Sequence, residues 1–420
     1  MIARVDGQIV LVGGAIPGER VTARVVRVGR GVVYAETVSV DDPSADRRPS
    51  ADLACGGCLF AHIRYARQLE IKAQIIADAF RRIGRLGWTA PVRVAASPEE
   101  GYRMRARLHL RRGRLGFFRE GTHEVCEARG TGQLLPATLD VLDTLAAALA
   151  PLTLFSMVEI ELSENIDATE RVVCVEPTQR EDARSLRSLP PIEGTTGLAV
   201  ASRQATGGRH QSADDGVVTV LHGSPHVTDV VVLGDVEPPL RLRRHVRSFC
   251  QGNRFLLRDL TAHVIDWIPS GGRVVDLYAG TGLFSIAAAT RRGAFVTAVE
   301  GDRVSAEDLD VNASACGAAV TAVHEPVEVF TASLVERPDA VIVDPPRTGM
   351  SREALDGVIR LRAARLVYVS CDVATLARDA RRLLDAGYTI DRVDAFDLFP
   401  NTPHVETVAV FSLGARPSIP

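Results

Sequence analysis

The richest pairing of reactive side chains in this sequence is a thiol and a carboxylate placed at the ends of two apolar runs. Cys371 follows Leu366-Val367-Tyr368-Val369-Ser370, and Glu406 stands at the start of the run from Val405 to Phe411. Runs of this kind read as strands covered on both faces, and in open α/β sheets ligands collect at the carboxyl ends of such strands. A thiol delivered there is a candidate nucleophile, although a buried cysteine that only packs is the commoner case. A carboxylate beside it could accept a proton; without the cysteine it would pass for an edge charge.

Two further motifs say what the thiol could attack. Asp276-Leu277-Tyr278-Ala279-Gly280-Thr281-Gly282 sits where one strand turns into its helix, and its glycines let a ligand approach the backbone. The next strand ends in Glu300, placed to accept the ribose hydroxyls of a nucleoside; Asp276 or its neighbours would meet the rest of the donor. This spacing suits S-adenosylmethionine at least as well as NAD. Asp344-Pro345-Pro346-Arg347 closes a later strand. Methyltransferases that attack exocyclic amines place an aromatic side chain after the prolines to stack on the base, and here that position is Arg347. Methylation at a pyrimidine C5 is then the better fit, because that carbon becomes nucleophilic only after something adds to C6. Cys371 could add, Glu406 could remove the C5 proton, and His404 could position it or the substrate. A free thiol with a pKa of about 8.5 is mostly protonated at neutral pH, so local positive charge, Arg347 for instance, is expected to depress it.

Nearer the amino terminus, Cys55-Gly56-Gly57-Cys58 brings two thiols within reach of one ion or cluster, with Cys126 as a third. Zinc, iron–sulfur and redox chemistry all suit such a pair. Arg103, Arg105, Arg107, His109 and Arg111 alternate with apolar residues, which in a strand lines guanidinium groups along one face. They repel one another unless an anion lies over them, and RNA phosphate is the anion favoured here over a merely solvated face. Arg241, Arg243, His245 and Arg247 repeat the alternation.

The elements that must position these residues fall into three regions. Short strands at Gln8–Val12, Arg20–Val28 and Val32–Val40 suggest a small barrel, whose arginines either face RNA or blunt a sheet edge. A polar stretch from Asp41 to Asp52 reads as a linker. Leu69, Ala73, Ile76, Phe80 and Ile83 mark an amphipathic helix. Strands follow at Val158–Leu162, Arg171–Val175, Gly216–Leu221 and Val227–Leu233, with an exposed loop at Thr206–Asp215 and no assignable chemistry across residues 127 to 240. From Phe255, strands alternate with helices: Val274–Tyr278, Phe295–Val299, Ala319–Val323, Ala340–Val343, Leu366–Val369, Ile390–Ala395 and Val405–Phe411. This is the pattern of a parallel α/β sheet.

Taken together and in order, Phe249-Cys250-Gln251-Gly252-Asn253, the Asp276–Gly282 loop, Asp344-Pro345-Pro346-Arg347, Val369-Ser370-Cys371-Asp372 and Phe399-Pro400 through Glu406 resemble the RNA uridine-C5 methyltransferases. The resemblance implies Cys371 as nucleophile and Glu406 as proton acceptor. It implies donor contacts from Gln251, Tyr278, Gly280, Glu300 and Asp344, and a substrate side made of Arg103, Arg105, Arg107, Phe249 and His404. It further implies an α/β fold: a Rossmann-like class I methyltransferase domain with a seven-stranded, mostly parallel sheet over 246–420, and a β-rich RNA-binding domain over 46–245. Residues 1–45 resemble an OB-like TRAM barrel lacking its usual opening strand. Cys55, Cys58 and Cys126, with Gln68 and Lys72, resemble the region that holds a [4Fe-4S] cluster in the rRNA branch. The family's fourth cysteine position is Pro49, so Asp52 or an external ligand would have to complete such a site.

Composition agrees with a soluble protein: 46% of residues are hydrophobic, 24% are charged and the formal net charge is -3. No apolar run reaches the roughly 18 residues of a membrane span, and the start shows no signal-peptide core. Seven cysteines in such a chain argue for metal binding or catalysis over a disulfide framework. The expectation is a cytoplasmic, monomeric enzyme acting on RNA, 23S rRNA ahead of tRNA. The rival of another class is an RNA-binding or assembly protein that retains only the fold.

Overall fold

The computed structural model describes residues 1–49, 52–152, 157–179, 182–202, 217–234, 238–317 and 319–414. The expected loop at Thr206–Asp215 and part of the linker before Asp52 lie outside them.

The carboxyl-terminal half builds one sheet of eight strands, in the order Val320–His324, Phe295–Glu300, Arg273–Leu277, Ala340–Val343, Arg365–Ser370, Glu406–Leu413, Tyr388–Phe396 and Arg93–Ala95. The first five run parallel, and Glu406–Leu413 is antiparallel to both of its neighbours. All seven expected strands are present within one or two residues of the anticipated bounds. The eighth is a correction to the seven-stranded expectation: Arg93–Ala95, from well before residue 246, pairs parallel with Asp394–Phe396 and closes the edge.

Strand periodicity divides the core in two. Ala340, Ile342, Val367 and Val369 point to one apolar layer, under the helices Leu257–Asp266, Leu283–Arg292 and Arg303–Cys316. Val341, Val343, Leu366 and Tyr368 point to the other, under Arg352–Leu361, Val373–Asp385 and the early helix Tyr65–Arg82. Successive side chains leave a strand on opposite faces, so a strand covered on both sides must be apolar throughout.

A seven-stranded sheet occupies the middle of the chain, in the order Val217–Gly223, Gly197–Ser202, Arg171–Pro177, Val158–Glu164, Arg105–Arg111, Arg114–Phe118 and Val125–Glu127. Pro136–Leu149, an unanticipated helix, contributes Leu139, Leu142, Leu145 and Leu149 to its core. Residues 2 to 42 form four strands ordered Ile2–Val5, Gln8–Gly13, Val32–Asp42 and Arg20–Gly29. Ile2–Val5 supplies an opening strand where none was expected.

The helix Tyr65–Arg82 is rotated from the expected face. Gln68, Ile71, Lys72, Ile76, Ala79 and Phe80 are buried, whereas Ile83 is exposed. Two polar residues have displaced apolar ones because partners from the other end of the chain receive them. Among the described residues, no helix is long and apolar enough to cross a membrane.

Candidate active site

Five strand ends place the site residues along one edge of the sheet. Arg273–Leu277 lies between Phe295–Glu300 and Ala340–Val343, so chain order reverses beside it and a crevice opens at the carboxyl ends. The turn after Leu277 is sharp. Tyr278 has φ 62°, an uncommon conformation for a residue with a side chain, and Gly280 and Gly282 have φ 56° and 93°. A Cβ on Gly282 would lie 2.8 Å from Leu309 Cδ1, so glycine there also lets the following helix pack closely.

Four carboxyl groups gather at this crevice. Glu300 accepts from the Gly280 N–H through one oxygen and from the Asp302 N–H through the other, each at 2.7 Å. Asp344 accepts from Gln251 Nε2 at 2.9 Å. Asp276 is fully buried and accepts from Ser285 Oγ at 2.5 Å, while its Oδ1 has no partner among the described residues. Burial pushes Asp276 and Asp344 up to about 7, with further lift from neighbouring carboxylates, and raises Glu300 too. Glu406, buried and with Oε1 unpartnered among the described residues, is raised well above the carboxylate range by burial and then by Asp344. A crevice so short of positive charge fits a cationic donor. The anionic pyrophosphate of NAD would be repelled, so S-adenosylmethionine, with its sulfonium and ammonium, suits the site and NAD does not.

Cys371 is a free, partly exposed thiol just past the Arg365–Ser370 strand. Ser370 pairs with Thr407 across the antiparallel ladder, so one further step sets Cys371 against Glu406. The expectation that positive charge lowers the thiol is corrected: burial, then Glu406 and Asp344, push it up to about 11, and Arg347 opposes them only in part. His404 is held neutral, down to about 4, by burial and by the nearby charges of Arg347, Lys72 and Arg103.

The arginine stripe divides. Arg103 turns inward: its guanidinium lies 5.2 Å from the Phe117 ring and 5.7 Å from the Phe399 ring, and donates to Gln133 Oε1 at 2.6 Å. Arg105 and Arg107 instead share the Glu161 carboxylate, Arg105 at 3.0 Å. For these two the anion that relieves the repulsion is therefore internal, which corrects the reading that favoured RNA phosphate in that place. Phe249 is 56% exposed at the mouth of the crevice, its carbonyl beside Gly280. Sequence reasoning missed Gln133 and Glu161. Each lies far along the chain from its arginine, and no local pattern marks it.

Cys55, Cys58 and Cys126 share one apolar cluster, but Cys55 and Cys126 are joined by a disulfide. Cys58 is buried and raised to about 11 by burial and by Asp52, and Asp52 pairs with Arg119 at 2.8 Å. No metal-binding group of three or more such side chains occurs among the described residues. A [4Fe-4S] cluster needs four ligands at once, and this set does not fit one. The expectation of three thiols standing as cluster ligands is thus corrected as well.

Comparison with known proteins agrees with this geometry. Residues 226–412 match the family described as tRNA (uracil-5-)-methyltransferase. The 23S rRNA (uracil(1939)-C(5))-methyltransferase RlmD of Marinomonas is 31% identical, across 97% of this chain and 90% of that protein. The enzyme of the same name from Pseudomonas aeruginosa is 32% identical, across 98% and 91%. The fold matches the Pyrococcus abyssi tRNA (uracil-54, C5)-methyltransferase solved with S-adenosyl-L-homocysteine, with a TM-score of 0.71 at 24% identity over 97% of this chain and 96% of that one. With kinship running along nearly its whole length, the chain belongs to the RNA uracil-C5 methyltransferases, enzymes that take their methyl group from S-adenosylmethionine.

Proposed function

We propose that this protein methylates C5 of a uridine in 23S rRNA through a covalent bond between Cys371 and C6 of the base. The observation that carries the reading is the placement of Cys371 against Glu406 at the end of one ladder, beside an acidic crevice. The Cys371 thiolate adds to C6 and drives the ring electrons toward C5. S-adenosylmethionine supplies an electrophilic methyl group to that carbon and a positive charge that the surrounding carboxyl groups lack. Glu406 then takes the C5 proton, the sulfur–carbon bond breaks, and the thiolate is released. A base with a raised pKa is the stronger acceptor for a carbon-bound proton.

On this reading Gln251, Tyr278, Gly280, Glu300 and Asp344 hold the donor, with Asp276 behind them. Arg103, Phe249 and His404 face the base, which must leave its stack at a cost of about a few kcal/mol, and this favours loops over duplex. The four amino-terminal strands serve as an OB-like RNA-binding module of the TRAM kind, supported by Arg27 stacked 3.9 Å over Tyr34. The choice of rRNA follows the named relatives. A tRNA substrate is the second reading, favoured by the description of the matched family. Labelled methyl transfer to unmodified 23S rRNA and to tRNA, each mapped for 5-methyluridine, tests both. Label confined to tRNA overturns the rRNA assignment, and label in neither overturns the activity.

A further inference from the structure

Lys72 is the only lysine in the chain; every other one of the 49 basic residues is an arginine. It is also fully buried, on the helix Tyr65–Arg82, far from the methyltransferase residues in sequence. Its Nζ donates to Asp397 Oδ1 at 2.5 Å and to the Phe399 carbonyl at 3.2 Å. One turn earlier, Gln68 completes a reciprocal pair: its Nε2 donates to Asn401 Oδ1 at 2.9 Å and its Oε1 accepts from the Asn401 N–H at 3.0 Å. Asn401 has φ 64°, the left-handed region that asparagine tolerates better than most residues. Arg48 also donates to Asn401 Oδ1, at 2.7 Å. The loop from Asp397 to Val405 is thus gripped by a helix from the other half of the chain.

That loop joins the last two strands and leads into Glu406. It carries Phe399, whose ring supports Arg103, and His404, whose ring meets Phe399 edge-on at 6.3 Å. An ammonium is compact and can aim separate donors at a carboxylate and a carbonyl that converge on one point; a planar guanidinium is larger and fans its donors outward. Burial disfavours charge on both Lys72 and Asp397; their mutual contact opposes it on both, and on Asp397 hydrogen bonds from Tyr65 and the Phe399 backbone add to it. A buried pair of this kind seldom gains stability over an apolar pair, so stability alone does not account for it.

We propose that Lys72, with Gln68 one turn before it, is a positioning residue of the methyl-transfer site: it holds the Phe399 carbonyl so that Phe399 and His404 present a fixed wall to the target base. The proposal rests on the assignment of Cys371 and Glu406 made above. It differs from a purely structural role in one respect: restoring the fold without the Phe399 contact must not restore turnover.

The test compares Lys72→Met with Lys72→Met/Asp397→Asn in steady-state methylation of unmodified rRNA, with melting temperatures measured alongside. Lys72→Met is expected to lower kcat at least tenfold, with KM for S-adenosylmethionine within twofold of the parent. The double variant, which leaves no unpaired charge, should regain the parental melting temperature and keep the loss of kcat. Recovery of kcat together with melting temperature overturns the proposal. Should the Lys72 variants fail to fold, Asn401→Gly decides the matter. It keeps the left-handed turn but removes the side-chain oxygen by which Gln68 and Arg48 hold the loop, leaving Gln68 its bonds to the Phe60 and Ile63 carbonyls, and full activity there overturns the proposal equally. Trapping of the unaltered chain on 5-fluorouridine RNA is run in parallel. Failure to trap falls on the Cys371 assignment, whatever the Lys72 variants do.

Discussion

Glu406 faces Cys371 one register step beyond the Ser370–Thr407 pair, so the proposed nucleophile and proton acceptor sit on neighbouring antiparallel strands. The relation depends on a switch of direction: Glu406–Leu413 is the strand that runs against its parallel neighbour. Had it run parallel, its amino end, and Glu406 with it, would lie at the far side of the sheet.

Removing the sulfur should abolish the covalent step. Cys371→Ala is expected to lose methyl transfer by at least about a thousandfold and to form no adduct with 5-fluorouridine RNA, whose C5 fluorine cannot leave as a proton. Denaturing gel shift of labelled RNA reads the adduct directly.

Glu406→Gln should separate the steps. Attack and methylation persist while proton removal slows by about a hundredfold or more, so a methylated protein–RNA adduct accumulates on ordinary RNA. Mass spectrometry of the trapped peptide would show it, and free turnover would remove Glu406 from the role of base.

The thiol should be sluggish in the ligand-free protein. With Cys371 pushed up to about 11, its alkylation is expected to climb roughly tenfold per pH unit across the mildly alkaline range. Arg347→Ala, which deletes the one charge favouring the thiolate, should shift the profile further up. Peptide-resolved mass spectrometry distinguishes Cys371 from the other free cysteines; a plateau near neutral pH would contradict the assignment.

Stability should fall as pH rises through neutrality. The folded pKa values of Asp276 and Asp344, about 7, lie above the ordinary 3.8, so the native state binds protons that the unfolded chain has released. Their contribution is whole below the unfolded value and is lost as pH climbs through about 7. Melting temperature of the ligand-free protein should therefore decline from about pH 5 to about pH 8, and S-adenosylmethionine should offset the decline more than its neutral-sulfur product does. A flat profile would show these groups to be ionised already.

Iron should be absent at stoichiometric levels. With Pro49 at the fourth position and Cys55 bonded to Cys126, anaerobically purified protein is expected to hold no cluster, and chelators should leave its melting temperature unchanged. Iron and sulfide assays on the same sample check this.

The methyltransferase half was legible because doubly covered strands must be apolar end to end, and Leu366–Val369 or Ala340–Val343 can hardly be anything else. Cys371, Glu406, Glu300 and Asp344 were legible for a related reason: polar residues at the ends of such strands stand out. What escaped notice depended on distant pairing. Glu161 looks like any strand carboxylate until it is found under Arg105 and Arg107. Lys72 and Gln68 disturb the apolar period of their helix, and that disturbance was the available sign that something far along the chain receives them. Arg93–Ala95 is three residues long, too short for any periodicity to reveal.

That short strand also limits how this enzyme can be remodelled. Because the outermost hydrogen-bonding edge of the donor-binding half is supplied by the half that precedes it, neither can be cut away or exchanged for a foreign counterpart at residue 246 without leaving a raw edge on Tyr388–Phe396, ready to recruit another chain. Chimaeras that swap RNA-recognition modules should make their join upstream of Arg93, or carry that strand with them.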